Sequence, residues 1–591
     1  MYDDRITLLN QDDLSSEGTI YRDNVHSLTV DNEGNIWLLI VEYLDSSDPE
    51  FVRFTHEGNY TLEKVSKSGE TLLSYDLNFL TDNGRTNPWQ IALNDEGFLH
   101  ILCSGSSLNC VSVFSADADF NENSVLFTLQ TYNLPEMVMT SNGNVIVCDM
   151  NYDGYQFREI DTSAKSWGKE LKSEIRYRLI FGGAGSNLIL EDGGNIGELN
   201  WDTGEITKCF SLFMAGFGYG SVLTPLPDES LLMMRYDDSD FRGDNPILVR
   251  AEEKYFEGIE PVVLRLATTN RFQFQDVVMA FNRKSPTCKV DLVDYSLYDS
   301  ELDPMSGVTR MIIEIISGNP PDILDLNSIS AGQYSAKGLL EDLYPYIDED
   351  PDIYRGDFIP NILSASEHNG KLYELVPSFS VQTVIGRSDI VGDKYGWTFD
   401  DFFNVIEKNK DKWAFSQNIS CDEFLEHAIT YGGEDFIDWS TGECGFESEN
   451  FKRMLELAKT FPEEVDLTYA EYTAIQNGKQ FLTFTGLNDP SRVDVFSALF
   501  AGEISFTGLP GVESSGNVIV SEVSLGISSM SEHKDSAWIF LREFLLDTYQ
   551  TARHLYAFPS MSSAIEVYMD RYKEMVLYDG DNKISISSGL H

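Results

Sequence analysis

The chain has 591 residues, of which 96 are acidic and 42 basic, giving a formal net charge of −54 with 42 % hydrophobic content. That length exceeds a single core and fits two to four domains of about 100–200 residues each. The charge argues against a nucleic-acid partner, which needs clustered Lys and Arg against the phosphates, and is the mark of a solvated, self-repelling surface. No run reaches the ~18 uncharged apolar residues of a membrane span, and no basic start followed by an apolar core opens the chain. The cysteines, 7 in all, include no CxxC pair and suggest no zinc or redox motif. Cys103 and Cys110 are spaced to flank a hairpin, and a bridge between them stays open.

In chain order, Arg5 to Asn10 reads as a closing strand without earlier partners, as though the chain opened inside a repeat. Turn clusters then recur at Asn32–Asn35, Asn94–Gly97, Ser141–Asn144, Gly185–Asn187 and Asp228–Ser230, each followed by an apolar strand such as IWLLIVEY, FLHILCS or VIVCDM. Further short strands complete each unit, and helical periodicity is nearly absent. A spacing of about 40–50 residues with four short strands per unit is the β-propeller pattern, with an irregular β-sandwich as the alternative. Five units are recognisable in residues 1–255, with a long surface loop expected around Ser66 to Asn87. Gly216-Phe-Gly218-Tyr-Gly220 has the look of a nucleotide loop, but Ser221 stands at the third glycine and no long helix follows. Asp237, Asp238, Asp240 and Asp244 lack the distal glutamate of a calcium loop. The boundary is expected near Glu252 to Glu260, ahead of Pro261.

From 262 onward the pattern changes. Val262 to Thr268 is a strand, and Phe274, Val277, Val278 and Phe281 mark one apolar helix face. Lys289 to Val293 is a second strand. Met311 to Ile316 is the end of a helix stopped by Ser317-Gly318 and by Asn319-Pro320-Pro321, because glycine accepts the left-handed cap and proline cannot continue the helix. Asp322 to Leu326 is a short buried strand that delivers Asn327 and Ser328 to its carboxyl end, where open α/β sheets place small ligands. Thr398, followed by Asp400 and Asp401, is a helix start.

Several of these segments resemble, in order, motifs of the extracellular solute-binding proteins of ABC importers of the sugar type. Phe281-Asn-Arg-Lys-Ser-Pro286 resembles the family's helix end, and Gly318 through Pro321-Asp322-Ile323 its G-x-x-P-D-I strand. Gly370-Lys-Leu-Tyr373 through Pro377 resembles its crossing between lobes. Gly396-Trp-Thr-Phe399-Asp-Asp401 resembles a helix start. Ser531 through Trp538-Ile-Phe540 resembles a late helix, followed by Phe558-Pro559-Ser560.

The resemblance implies a two-lobe α/β domain of the type II periplasmic-binding-protein kind over 256–591. The first lobe comes from about 262–376 and 506–565, and the second from about 385–505. Crossings lie near Pro377 to Arg387 and near Leu509. It implies an extracellular, lipid-anchored protein whose export signal is outside the given chain, acting as a monomer with a membrane permease as partner. The ligand is a small polar solute of saccharide type, and no cofactor or metal is called for. Fewer residues follow Pro559 than the family uses to finish its second lobe, so that lobe is expected to be trimmed.

Residues at strand ends and crossings are expected to line the cleft: Asn270, Asn327, Ser328, Phe379, Gln382, Asn488 and Glu522. Their amides and hydroxyls suit neutral hydroxyl groups, and Phe379 offers an apolar face. No G-x-S-x-G elbow, H-E-x-x-H or phosphate loop is present, so the chain reads as a binder. A glycosidase using one pair of its many carboxylates and an adhesin using the propeller are the alternatives.

Overall fold

The computed structural model describes residues 5–9, 16–43, 58–80, 86–94, 96–105, 111–117, 125–129, 135–151, 154–164, 166–173, 179–183, 187–191, 194–217, 222–225, 231–236, 246–251, 261–299, 303–393, 396–432, 436–438, 443–463, 465, 471–511, 517–552, 555–572, 574–579 and 582–587. The chain divides into two compact units, Met1–Asn319 and Pro320–His591. The aspartate cluster at 237–244, the 252–260 boundary stretch and Cys110 lie outside the described residues.

In the first unit, short antiparallel sheets follow one another along the chain. Four strands make each of the sheets spanning Val25–Asp76, Thr86–Leu129, Glu136–Ser173 and Leu179–Ser211, and three make the sheet from Val222 to Ala251. The first strand of each sheet lies against the first strand of the next. Side chains tie these strands together. Ile91 N–H donates to Ser27 Oγ (3.1 Å), and the Gln90 carboxamide exchanges two 2.7 Å hydrogen bonds with the backbone of Met137.

One turn recurs between the first two strands of successive sheets. Gly34 N–H donates to Asp31 O, Gly97 N–H to Asn94 O and Gly143 N–H to Thr140 O, each at 2.9–3.0 Å. The three glycines sit at φ of +80°, +85° and +84°, which a side chain would disfavour. Alternation then does the rest: Leu38, Leu62, Leu99, Ile101, Ile146 and Leu188 are fully buried.

The loop expected around Ser66 to Asn87 is instead partly a strand, Thr71–Asp76, which pairs with Gly58–Val65 at the sheet edge. Its Leu72 and Leu73 are exposed, so alternation gives no sign of it. Arg5–Leu9 pairs antiparallel with Ser16–Tyr21, the strand that follows it. Cys103 is a buried free thiol whose pKa burial pushes up to about 12.

The same unit ends in an α/β segment. Strand β1 (Val262–Thr268) runs parallel to β2 (Cys288–Asp294), with α1 (Gln275–Lys284) between them and α2 (Ser306–Ile316) after them. Phe274, Val278 and Phe281 are the buried face of α1. Asn282, 1 % exposed, donates to Phe213 O and Val290 O at 2.8 Å and accepts from Val290 N–H at 2.7 Å. Arg283 donates to Gly216 O (2.8 Å), and a Cβ on Gly216, at φ +78°, would stand 2.5 Å from Arg283 Cγ. The glycine-rich loop therefore begins with a turn that seats α1.

In the second unit, β3 (Ile323–Asp325), β7 (Val518–Ile527), β4 (Leu375–Arg387) and β5 (Leu482–Leu487) lie in that order, all antiparallel. Strands β6 (Ile504–Phe506) and β8 (Phe558–Pro559) also pair with β4. Over 13 residues, β4 runs from one core to another. Val376 and Phe379 pack with Ile362, whereas Val384 packs with Trp397, Phe402, Phe415, Phe424 and Leu509. Thr398 begins α3 (Phe399–Lys408) with a capping box to Asp401. Helices α4 (Ser491–Phe500), α5 (Lys534–Leu541) and α6 (Ser562–Tyr572) complete the elements used below.

Asp350 fastens α5: it accepts from Trp538 Nε1 (3.0 Å) and twice from Arg542 (2.9 and 3.0 Å). Burial alone would raise its pKa, but these donors and the Asp352 amide hold it below the ordinary value. No helix among the described residues is long and apolar enough to cross a membrane.

Candidate functional site

The candidate site lies where β3 ends beside the middle of β7 and β4. Ile323 and Leu324 are fully buried, so the polar residues that follow emerge together at the strand's carboxyl end. Leu326 N–H still pairs with Ser524 O (2.9 Å), after which the chain leaves the sheet. Asn327 is tied to its neighbours there. Its N–H donates to Asp325 Oδ1 (3.1 Å), its Nδ2 donates to Glu522 O (3.2 Å), and its Oδ1 accepts from Ser521 Oγ (3.4 Å). Ser328 follows, half-buried.

Opposite Asn327, β7 is irregular. Ser378 faces Val523 and Phe379 faces Ser521, so Glu522 is the extra residue of a bulge. Bulges bend a strand and re-aim side chains, and they gather near functional sites. Ser521 is thus both the hydrogen-bond partner of Asn327 and the register partner of Phe379. Two inter-strand spacings separate Asn327 from Phe379, roughly 10 Å.

Phe379 is 7 % exposed, with its ring packed on Phe558 at 5.7 Å and against Ile362 and Val376. It packs into the wall beneath the crossing. Further along β4, Gln382 faces Gly486 on β5 and Val518 on β7. Its Nε2 lies 2.8 Å from where a Cβ on residue 486 would stand, so glycine there makes room for the carboxamide. Asn488 follows β5 directly, and its carbonyl accepts from the Tyr568 hydroxyl at 2.7 Å.

The structure therefore brings Asn327, Phe379 and Glu522 together around Ser521, with Gln382 and Asn488 farther along the same crossing. Asn270 belongs to the first unit. It is exposed at the carboxyl end of β1, and its N–H donates to Thr268 Oγ1 (2.8 Å).

Sequence reasoning missed four polar residues here. Ser521 sits inside the largely apolar run VIVSEVSLGI, where two scattered serines give no pattern. Thr383 donates to Asn517 Oδ1 (2.6 Å) and so joins the two crossing strands. Gln550 is fully buried, donating to Pro377 O (2.9 Å) and Phe544 O (2.7 Å) and accepting from Met561 N–H (3.1 Å). Tyr568 is fully buried, and burial followed by its hydrogen bond with Tyr572 pushes its phenol pKa up. Among the described residues no cluster of His, Cys, Asp or Glu is placed to hold a metal ion. The arrangement offers amides, hydroxyls and backbone groups, which is hydrogen-bonding chemistry.

Residues 307–567 match the family model described as bacterial extracellular solute-binding protein. Among solved structures, the sugar-binding protein MalE of the phytopathogen Xanthomonas citri aligns at 17 % identity over 52 % of this chain and 82 % of its own, with a TM-score of 0.39. The ABC substrate-binding protein Lmo0181 of Listeria monocytogenes, in complex with cycloalternan, aligns at 20 % identity over 53 % and 83 %, TM-score 0.34. The maltose/maltodextrin-binding domain MalE of Bdellovibrio bacteriovorus, bound to maltotriose, aligns at 16 % over 52 % and 84 %, TM-score 0.32. The carboxyl-terminal part of the chain thus matches a family of extracellular binding proteins.

Proposed function

We propose that residues 256–591 form a two-lobe, type II solute-binding domain that captures a small polar solute of saccharide type without chemical change. It would serve as the extracellular component of an ABC importer and deliver to a membrane permease, with the chain held at the cell surface by a lipid anchor. The first lobe is drawn from about 262–376 and 506–565, the second from about 385–505. Asn270, Asn327, Ser328, Phe379, Gln382, Asn488 and Glu522, with Ser521 added, are assigned to the ligand.

The observation that carries this reading is the crossing itself. A single strand, β4, passes between two separate cores, and the polar residues Asn327, Ser521 and Gln382 gather along it and its neighbour. The family match over 307–567 supports the same reading. A ligand touching both lobes stabilises the closed state by its differential affinity. For residues 1–255 we infer a propeller of at least five blades, supported by the repeated glycine turn and by the succession of first strands in contact.

Thermal denaturation against a panel of neutral saccharides tests the ligand class. A binder at 100 times its Kd adds about 2.7 kcal/mol. Stabilisation by phosphorylated compounds or peptides alone would overturn it.

A further inference from the structure

Two packed bodies joined only by the chain move against each other by default. In the first unit the small sheets and the α/β segment have a built joint instead. Its socket is the turn 212–217, which links the sheet of residues 179–211 to the sheet of residues 222–251. Leu212 N–H donates to Gly194 O (2.7 Å), Gly216 N–H to Phe213 O (2.9 Å) and Phe217 N–H to Leu212 O (2.9 Å). Leu212 is fully buried and packs with Ile196 of one sheet and with Leu231 and Met233 of the other. The Phe213 ring lies so close on Gly194 that a Cβ there would stand 2.3 Å from it. The turn is therefore part of the sheets' own core.

The carboxyl end of α1 closes on this turn from the α/β side. Asn282 is buried, and its carboxamide donates to Phe213 O and to Val290 O (both 2.8 Å) while accepting from Val290 N–H (2.7 Å). One side chain thus bonds the turn and β2 together. Beside it, Arg283 donates to Gly216 O (2.8 Å). A Cβ on Gly216 would stand 2.5 Å from Arg283 Cγ and 3.6 Å from Met279 O, so the missing side chain is what lets the helix approach. Met279, Asn282 and Arg283 lie at i, i+3 and i+4, which is one face of α1. A slip of this face over the turn would strip directional bonds from Phe213 O and Val290 in a dry place, where water replaces none of them.

We propose that the carboxyl end of α1 is a rigid coupling, through which the small sheets of residues 25–251 and the α/β segment of residues 262–316 move as one body. The coupling stands on the contacts within the first unit alone. Its use rests on the solute-binding reading above: when the two lobes close on a solute, the small sheets are carried with the first lobe. Capture of the solute then becomes a displacement of the whole sheet region, a mechanical output that a loosely tethered domain would not give.

The experiment is pulsed electron paramagnetic resonance on the full chain, with nitroxides on ketone-bearing residues introduced at the exposed positions Lys172 and Thr309, which leaves every cysteine in place. Without sugar, this pair is expected to give one narrow distance distribution. Arg283→Ala and Asn282→Ala are each expected to at least double its width, with the far-ultraviolet circular dichroism kept. Arg283 is exposed, so its replacement leaves the core intact and decides the matter alone if Asn282→Ala does not fold. A broad or two-peaked distribution in the parent protein refutes the coupling, and so does an unchanged width in Arg283→Ala. A second pair, Lys172 with the exposed Lys452 of the proposed second lobe, reads the output. With a saccharide that binds, the Lys172–Lys452 distance is expected to shift while the Lys172–Thr309 distance stays. A shift in the Lys172–Thr309 distance instead would refute the coupling, because the two bodies would then move against each other. If no saccharide binds, the solute reading fails, and the first pair still decides the coupling.

Discussion

Replacing Asn282 with alanine tests how the α/β segment is seated in the first unit. The side chain is 1 % exposed and makes three hydrogen bonds of 2.7–2.8 Å, to Phe213 O, to Val290 O and from Val290 N–H. Alanine strips partners from three backbone groups in a dry place. A hydrogen bond nets about 1 kcal/mol, and each buried group left unpaired costs about 1–3 kcal/mol, so the loss should be about 3–5 kcal/mol. That is a large part of a domain's stability.

Urea unfolding followed by far-ultraviolet circular dichroism reads the midpoint, and hydrogen exchange reads the place. The midpoint should fall, and the Val290 amide should lose most of its protection because its acceptor is gone. Asn282→Asp should be no better, since it keeps an acceptor but loses both donors and buries a charge. A loss below about 1 kcal/mol, with Val290 still protected, would show that the Asn282 side chain does not hold these backbone groups.

His100 is 1 % exposed, and burial lowers its pKa from 6.5 to about 4. A folded-state value below the unfolded one means the unfolded chain takes up the proton first. The stability this contributes is complete above pH 6.5 and lost as pH falls toward 4, a change of about 3 kcal/mol. His100→Gln should flatten the pH dependence of the urea midpoint in that window, and parallel curves for the two proteins would contradict this. Gln550→Leu removes an amide that ties Pro377, Phe544 and Met561 together, and should cost about 3 kcal/mol in the second unit's transition. Tryptophan fluorescence follows it, and an unchanged midpoint would show the three segments hold without the amide. Asp350→Ala leaves Arg542 and Trp538 without their shared acceptor and should destabilise by about 2–4 kcal/mol, measured the same way. A change within about 0.5 kcal/mol would mean the cluster is slack.

Local rules made much of the carboxyl-terminal region readable in the sequence. Gly318 at φ +89° ends α2 where glycine and two prolines said it must, and Thr398 caps α3 with Asp401 as its spacing required. The apolar faces of α1 and the buried β3 follow from period alone. The repeated turns were equally legible, because Asn-Gly and Glu-Gly pairs carry the conformation themselves. The edge strand Thr71–Asp76 was not, since a strand with both leucines exposed has no alternation to read.

The site divides along the same line. Asn327 was visible because it ends a strand that proline and glycine frame. Ser521, Thr383, Gln550 and Tyr568 take their roles from partners 100 or more residues away or from other elements: Ser521 bonds Asn327 at a separation of 194 and Gln550 bonds Pro377 at 173. Only the fold makes those pairs. Phe379 likewise packs its ring on Phe558, a neighbour far along the chain that no sequence feature indicates.

We propose that the carboxyl-terminal domain binds a saccharide between its lobes and returns it unaltered. Titrating the full chain with maltotriose and other neutral oligosaccharides in a calorimeter, then separating the recovered sugar by chromatography, tests both halves of that claim. One saturable site per chain is expected for at least one sugar, with that sugar recovered at its original length. Shortened sugar whose appearance stops on replacing a single Asp or Glu would contradict it, as would the absence of binding by every saccharide tried.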